Sequence, residues 1–364
     1  MSKQTGTVKE PLLRIVKRGE MSALNGWIIR IIALIIAMII SALFMFSITK
    51  LNPIGIYGSM FAGAFGTTRR MWVTLRDAAI LLCVALGLAP AFKMKFWNIG
   101  AEGQILVGGI ATAACMLYLP ESMPLWLMLI VMFLASVLSG AVWGLIPALF
   151  KAKWNTNETL FTLTMNYIAI QLTSFCVAKW ENPFGSNTVG IINQNTRHGW
   201  LPELFNNGYI LPIAMVLAVT VFMFFYLKSS KHGYEISIVG DSENTARYAG
   251  MNVKKIVLRT MLLSGAICGF AGFINVAGAS HTISTSVGGG RGFTAIIVAW
   301  MAKFNAFVMI FFSLLLIFLE KGASQIASDY GLNNEASNIM KGIILFAVLA
   351  SEFFINYRII VRKK

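Results

Sequence analysis

Residues 98–104 read NIGAEGQ, between an apolar run at 72–92 and another that continues to residue 119. Lipid cannot form hydrogen bonds with the side chains of Asn98, Glu102 and Gln104, so they must face protein or a water-filled path. Glycines at positions 100 and 103 are also poor residues for a helix interior. The stretch therefore predicts a helix break or helix start at Asn98, buried in protein at membrane depth.

Two interpretations of these polar residues stay open at this point. They tie neighbouring helices together, or they line a path for a solute. Lys93 and Lys95 are candidate counter-charges for Glu102 in either case.

The composition is that of a membrane protein. The chain has 364 residues, of which 57% are hydrophobic and 12% charged, and its mean hydropathy is +0.71. Soluble proteins carry about a quarter charged residues, so this chain is predicted to cross a membrane many times. The four cysteines lie in apolar segments without a CxxC pair or a nearby histidine, which argues against disulfides and zinc. No metal and no cofactor is predicted.

Apolar runs of about 20 residues predict the membrane crossings. The fold class is all-α, a polytopic bundle of nine or ten transmembrane helices, because the boundary between the eighth and ninth runs is weak. The predicted spans are 27–48, 72–92, 99–119, 125–150, 157–179, 208–227, 256–279, 292–304, 305–320 and 338–357.

The positive charges predict an orientation. With ten crossings and a cytoplasmic N-terminus, 20 of the 30 Lys and Arg residues fall inside and 9 outside, with Arg30 within the first span. The positive-inside rule therefore puts both termini in the cytoplasm, and the net charge of +15 needs no nucleic-acid partner. The predicted domains are a basic segment 1–26, a membrane domain 27–357 with a cytoplasmic connection at 228–255, and a basic tail 358–364.

The cytoplasmic connection contains a short predicted helix. Ser242 can cap its first turn, and Gly250 can supply the left-handed residue that ends it. We expect about seven helical residues with Ala246, Tyr248 and Ala249 on one face. Such a short helix is marginal alone, so it rests on the membrane as an ordinary loop helix or docks on a cytoplasmic partner.

Two further polar stretches lie among the apolar runs. Thr162 and Asn166 belong to a polar stripe on the fifth span, which faces either a pore or another helix. The glycine-rich run before Phe293 and Thr294 lacks the preceding strand of a phosphate-binding loop, so it predicts a bent or re-entrant start to the eighth span. Gly140-x-x-x-Gly144 and Gly265-x-x-x-Gly269 predict close helix contacts, and a faint inverted repeat relates the regions that start at the second and seventh spans.

Three motifs carry a resemblance to a known family. FWNIGAEGQILVGG, NETLFTLTMNYIA and GDSENTARYAGMNV resemble, in this order and at similar spacing, segments of the permease subunits of bacterial ABC importers for nucleosides. The wider group includes permeases for simple sugars such as ribose and for branched-chain amino acids. The similarity runs from about residue 27 to the end of the chain.

This resemblance implies a transport subunit in the bacterial plasma membrane. It implies a cytoplasmic ATPase, a second and different permease subunit, and an external substrate-binding lipoprotein. The candidate residues for coupling to the ATPase are Gly240, Ser242, Glu243, Ala246, Arg247, Tyr248 and Gly250. The candidates for the translocation path are Asn98, Glu102, Gln104, Thr162, Asn166, Phe293 and Thr294.

Alternative functions differ in solute or in energy source. The chain contains no G-x-x-x-x-G-K-[ST] loop, so ATP hydrolysis is expected in the partner and no enzymatic activity in this chain. After Gly-Phe the family commonly has Asp-Gly, whereas this chain has Thr294 and Ala295, a departure that bears on the nucleoside assignment. A simple sugar is the alternative solute. An ion-coupled secondary transporter with Glu102 as its protonatable group is the rival of a different class.

Overall fold

A computed structural model describes residues 13–18, 22–49, 52–331 and 334–361. Within these ranges the chain is almost entirely helical, which confirms the predicted all-α polytopic bundle. Two short strands, β1 (Leu13–Lys17) and β2 (Tyr357–Val361), lie near the ends of the chain. The helices are α1 (Ala23–Thr49), α2 (Pro53–Phe65), α3 (Thr68–Lys93), α4 (Ala101–Tyr118), α5 (Leu125–Trp154), α6 (Glu158–Trp180), α7 (Ile210–Ser229), α8 (Lys231–Asp241), α9 (Glu243–Tyr248), α10 (Val253–Asn275, followed by a π-helical turn at Val276–Ser280), α11 (Arg291–Met301), α12 (Ala306–Asp329) and α13 (Asn334–Asn356).

Every predicted span coincides with a helix, but the helices differ in length. Among the described residues, seven are long and apolar enough to cross a membrane, namely α3 to α7, α10 with its π-helical turn, and α12. Shorter apolar stretches lie in α1, in α13 and in α2, which falls outside every predicted span. The predicted eighth span corresponds to α11, whose 11 residues reach about 16 Å, half of a bilayer core. This crossing is therefore not a full-length helix.

The helices belong to two compact units, each of which is described separately. The main unit runs from Thr67 to Phe318, and the terminal unit contains the described residues before and after that range.

In the terminal unit, α1 packs against α13, and Arg30 forms an ion pair with Glu352. Strand β1 pairs with β2 in antiparallel register, from Leu13 opposite Val361 to Lys17 opposite Tyr357. The sequence did not predict these strands, and residues 1–12 of the predicted basic segment lie outside the described residues. Because strand β1 precedes α1 and strand β2 follows α13, their pairing puts the start of α1 and the end of α13 at the same end of this unit. Which side of the membrane that end faces remains a prediction.

In the main unit, α3 and α10 are buried along most of their lengths, whereas only about a third or less of α5, α6 and α7 is buried. Helices α5 and α10 touch through backbone. A Cβ atom on Gly140 would overlap the carbonyl oxygen of Gly265, and one on Gly269 would overlap that of Ser136. The predicted close contact at these small residues is confirmed. The segment between α6 and α7 is irregular apart from an isolated bridge between Leu204 and Asn207, as its Asn, Gly and Pro content led us to expect.

Candidate functional site

Asn98, in the interruption between α3 and α4, is buried, and both ends of its side-chain amide are hydrogen-bonded. The side chain of Asn98 is 0% exposed. Its Nδ2 donates to Oγ of Ser264 on α10 at 3.0 Å, and its Oδ1 accepts the N–H of Gly100 at 3.0 Å and Nε2 of Gln104 at 3.3 Å. Helix α4 begins directly afterwards at Ala101, which confirms the predicted helix start lodged in protein. Asn98 thus fixes this interruption, which we call the α3–α4 junction, against α10.

Helix α6 holds the same junction from its other side. Asn166 is 3% exposed; its Oδ1 accepts the N–H of Gly103 at 2.8 Å, and its Nδ2 donates to the carbonyl of Ile99 at 2.8 Å. Oγ1 of Thr162 accepts the N–H of Ile99 at 3.2 Å. These two residues of the polar stripe therefore contact the α3–α4 junction and the first turn of α4. Asn166 lies eight residues past Glu158, so the junction is about 12 Å from the start of α6.

Glu102 connects the junction to α11. Its side chain is 7% exposed. Its Oε1 accepts the N–H of Gly290 at 2.9 Å, and its Oε2 accepts the N–H of Gly292 at 2.8 Å. A Cβ atom on Gly288 would overlap Oε1, so the glycine-rich run surrounds a carboxylate of its own chain. Among the described residues neither Lys93 nor Lys95 forms an ion pair with Glu102; backbone N–H groups satisfy its charge instead.

A second buried carboxylate lies beside the start of α11, and the sequence analysis missed it. Asp77 on α3 is 3% exposed and pairs with Arg76 at 3.0 Å and with Arg291 at 3.5 Å. These three groups, one carboxylate and two guanidinium groups, form what we call the charge cluster at the start of α11. Charges at membrane depth persist when they are paired in this way. The available signal was an acidic residue inside the apolar run LRDAAILL.

The remaining two candidates for the translocation path lie on the first turn of α11. Oγ1 of Thr294 donates to the carbonyl of Gly290 at 3.2 Å, and Phe293 is 46% exposed. The structure therefore brings Glu102, Gly290 and the first turn of α11 together, with Asn98, Gln104, Thr162 and Asn166 at the adjoining junction. Whether a solute passes these residues remains a prediction.

The short helix predicted in the cytoplasmic connection is present as α9. Oγ of Ser242 accepts the N–H of Thr245 at 3.2 Å, which is the expected N-cap. Gly250 has a φ of 76° and donates its N–H to the carbonyl of Arg247 at 3.0 Å, which ends the helix as predicted. The sequence did not predict α8, which precedes α9 and packs against α3.

The candidate coupling residues divide into an inward and an outward set. Ala246 is 0% exposed, whereas Tyr248 is 93% exposed, so the prediction that these two share a face is wrong. Glu243 and Arg247 form an exposed ion pair at 3.5 Å. On α8, a Cβ atom on Gly240 would overlap the carbonyl oxygen of Lys93, the last residue of α3. Glu243, Arg247, Tyr248 and Gly250 among these residues are exposed, Ser242 is half-buried, and Gly240 and Ala246 are buried against their own chain.

The fold and these junctions define a polytopic helical membrane protein with a capped loop helix at one end. Residues 71–349 match the model of the family described as branched-chain amino acid transport system / permease component, and the chain belongs to this family. It is therefore a transport component rather than an enzyme.

The relatives with curated names include permeases for different solutes. The chain is 29% identical to the guanosine ABC transporter permease protein NupP of Bacillus subtilis over 90% of its own length and 94% of that protein. It is 28% identical to the nucleoside ABC transporter permease protein NupB of Lactococcus lactis, over 90% and 92%. It is 29% identical to the glucose ABC transporter permease protein TsgB13 of Haloferax volcanii, over 85% and 84%. No solved structure matches the chain.

Proposed function

We propose that this chain is the permease subunit of an ATP-driven importer and moves a nucleoside-like solute across a bacterial plasma membrane. Similarity to the guanosine and nucleoside permeases over nine-tenths of the chain supports this solute class. Similarity to the glucose permease makes a simple sugar the second candidate. The importer needs a cytoplasmic ATPase, a second and different permease subunit, and an external binding lipoprotein. Residues 27–357 form its membrane domain, and residues 228–255 form its cytoplasmic connection.

The proposed mechanism rests on how α9 is exposed on one face and packed against its own chain on the other. Its exposed side chains, Glu243, Arg247 and Tyr248, offer one anion, one cation and one aromatic ring to a partner. Helix α9 packs against α8 and α10, and α8 packs against the end of α3, where Gly240 approaches the carbonyl of Lys93 closely. A partner that displaces α9 therefore pushes on α8 and, through α8, on the last turn of α3.

The displacement continues through the α3–α4 junction. Residues 94–100 follow α3 directly, and Asn98 and Asn166 bind the junction to α10 and α6. Glu102 then binds it to the first turn of α11. These contacts form one connected set from α9 to α11. We infer that these contacts move together when the partner hydrolyses ATP. The first turn of α11, which carries Phe293 and Thr294, then opens or closes the solute path.

The test is reconstitution of the complete importer in proteoliposomes. The permease is purified with the proteins encoded beside it, and uptake of tritiated guanosine is measured with ATP and with a non-hydrolysable analogue inside the vesicles. We expect uptake with ATP but not with the analogue, and we expect unlabelled nucleosides, but not glucose, to inhibit it. Uptake driven by an ion gradient without the ATPase would overturn the proposal. ATP-driven uptake that glucose inhibits and nucleosides do not would favour the sugar instead.

A further inference from the structure

A cavity of about 560 Å³ opens at the end of the main unit opposite α9. Its wall comes from the first turns of α3, from the irregular segment between α6 and α7, and from the residues that follow α10. None of the candidate residues for coupling or for the translocation path lines it. Cavities of 300–1,000 Å³ are typical of small-molecule sites, so its volume accommodates a solute of nucleoside size.

Aromatic rings form much of this outer cavity. Trp72, Trp200 and Tyr209 line it, and the ring of His281 stacks on Trp200 with centroids 3.7 Å apart and planes 8° apart. Burial, together with the positive charges of Arg76 and Arg197, lowers the pKa of His281 to about 4, so this imidazole is uncharged at neutral pH. The stacked pair is therefore a flat wall without charge of its own. Rings of this kind bind the faces of planar heterocycles.

Charged groups that can form hydrogen bonds lie over two of these rings. The guanidinium of Arg76 lies 5.5 Å from the centre of the Tyr209 ring, and that of Arg197 lies 5.7 Å from the centre of the Trp200 ring. Arg197 also pairs with Glu203 at 3.4 Å. A guanidinium has five N–H donors, so each arginine keeps donors for a ligand, and the carboxylate of Glu203 keeps lone pairs.

We propose that this outer cavity is a binding site for an intact, uncharged nucleoside, held there before it enters the membrane path. The proposal rests on the proposed function and adds a site to it. The base packs against the aromatic wall while Arg197 and Arg76 donate to its ring nitrogen and carbonyl oxygen. Guanine presents these two acceptors side by side. Glu203 accepts hydrogen bonds from the ribose hydroxyls. Arg76 and Arg197 already have carboxylate partners, so an uncharged ligand fits better than an anionic one.

The primary experiment measures binding of tritiated guanosine to the purified permease subunit in nanodiscs by scintillation proximity, with neither ATP nor the binding lipoprotein present. We expect saturable binding that unlabelled guanosine displaces. Ribose should compete far more weakly because it lacks the base, and guanosine monophosphate should compete more weakly because of its charge. Stronger competition by guanosine monophosphate than by guanosine would overturn the proposal and assign the cavity to an anion.

Variants of the exposed ion pair between Arg197 and Glu203 test whether guanosine binds in the outer cavity. Arg197→Gln and Glu203→Gln should each weaken guanosine binding by about tenfold, the loss expected for one charge-assisted hydrogen bond. The two side chains are 66% and 49% exposed, so the variants should fold normally. Lys153→Gln is the matched control, because Lys153 is likewise an exposed cation over a tryptophan ring, 5.0 Å from the centre of the Trp154 ring. It should leave guanosine binding unchanged.

A charge swap separates ligand contact from loop structure. The double variant Arg197→Glu with Glu203→Arg keeps the ion pair but exchanges donor and acceptor. If the two residues contact the nucleoside, binding stays weak in the double variant. Full recovery of binding would mean that the pair only shapes the loop, and the proposed contacts would be wrong.

The outcomes also distinguish failure of this site from failure of the proposed function. If the complete importer takes up guanosine with ATP but the permease subunit alone does not bind it, or binds it equally well in all variants, the cavity is not a solute site and the importer function stands. If guanosine uptake is absent while the subunit binds guanosine through Arg197 and Glu203, the cavity proposal stands and the importer function falls.

Discussion

The carboxylate of Glu102, in the first turn of α4, accepts the backbone N–H of Gly292, in the first turn of α11, at 2.8 Å. One negative charge thus lies at the N-termini of two helices, the end of a helix that favours an anion. Helix α11 starts beside the α3–α4 junction. The hydrogen bonds from Gly290 and Gly292 to Glu102 therefore fix the point at which the irregular run 281–290 changes to a helix.

The first prediction concerns this carboxylate. Glu102→Ala should destabilise the permease by about 2–4 kcal/mol, because two buried N–H groups lose their acceptor. Glu102→Gln keeps one acceptor oxygen and should cost less. Apparent melting temperatures in detergent provide the measurement. Glu121→Ala, in the exposed loop between α4 and α5, is the control and should leave the melting temperature unchanged. Equal stability of Glu102→Ala and the wild type would contradict the role given to this side chain.

The second prediction concerns Asn166. Asn166→Leu removes the acceptor for Gly103 and the donor to Ile99, so it should lower stability by about 2–4 kcal/mol. Thr164→Val, two residues away on the exposed side of α6, should have little effect because Thr164 bonds within its own helix. The order of solute preference in reconstituted vesicles should be the same in both variants. A changed preference at normal stability would instead give Asn166 direct contact with the solute.

The third prediction separates the two sets of residues on the loop helix. Tyr248→Ala and Arg247→Glu should abolish co-purification of the ATPase and ATP-driven uptake while the melting temperature stays at the wild-type value, because both side chains are exposed. Ala246→Asp should instead lower the melting temperature, since it buries a charge beneath α9. Normal ATP-driven uptake by both exposed-site variants would remove the coupling role of α9.

The fourth prediction concerns the contact between α5 and α10. Gly265→Ala puts a Cβ atom into the carbonyl of Gly140, so it should cost about 1–3 kcal/mol. Gly58→Ala on α2 is the control, because its Cβ atom would meet nothing within 4 Å. Alanine has the higher helix propensity, so this variant should be equally stable or gain up to about 1 kcal/mol. The melting temperature should therefore fall for Gly265→Ala and not for Gly58→Ala, and a rise for both variants would mean that helix propensity outweighs the contact.

The fifth prediction is a pH dependence. Because the folded state lowers the pKa of His281 to about 4, the unfolded chain binds the proton more readily. The contribution of the neutral ring is complete above pH of about 6.5 and is lost as the pH falls from there towards about 4. The melting temperature should fall over this window. His281→Phe keeps a ring on Trp200 and should flatten the fall; an unchanged slope would mean that other groups dominate it.

The sequence predicted the helices well because apolar length alone decides a membrane crossing. It placed the eighth span at 292–304, within three residues of α11, but did not predict the bonds from the N–H groups of Gly290 and Gly292 to Glu102, almost 190 positions earlier. It failed at β1 and β2 for the same reason, since the two strands pair across nearly the whole chain. Local signals did suffice for α9, whose cap at Ser242 and stop at Gly250 lie within ten residues of each other.

The sequence predicted where the candidate site lies but not which groups its residues contact. Asn98 and Glu102 stood out because lipid cannot satisfy them. The sequence offered lysines as counter-charges for Glu102, but backbone N–H groups of a distant glycine-rich run satisfy it. Asp77 escaped notice because a single acidic residue among apolar ones gives no sign of which cations will approach it.

The charge cluster at the start of α11 also constrains how the protein is inserted into the membrane. Segment 281–301 carries Arg291 to membrane depth, and an arginine at the centre of a span costs about 2.5–3.5 kcal/mol on insertion. The carboxylate that pairs with it, Asp77, belongs to α3, which is synthesised far earlier. Segment 281–301 is therefore expected to leave the insertion machinery only after α3 is in place beside it.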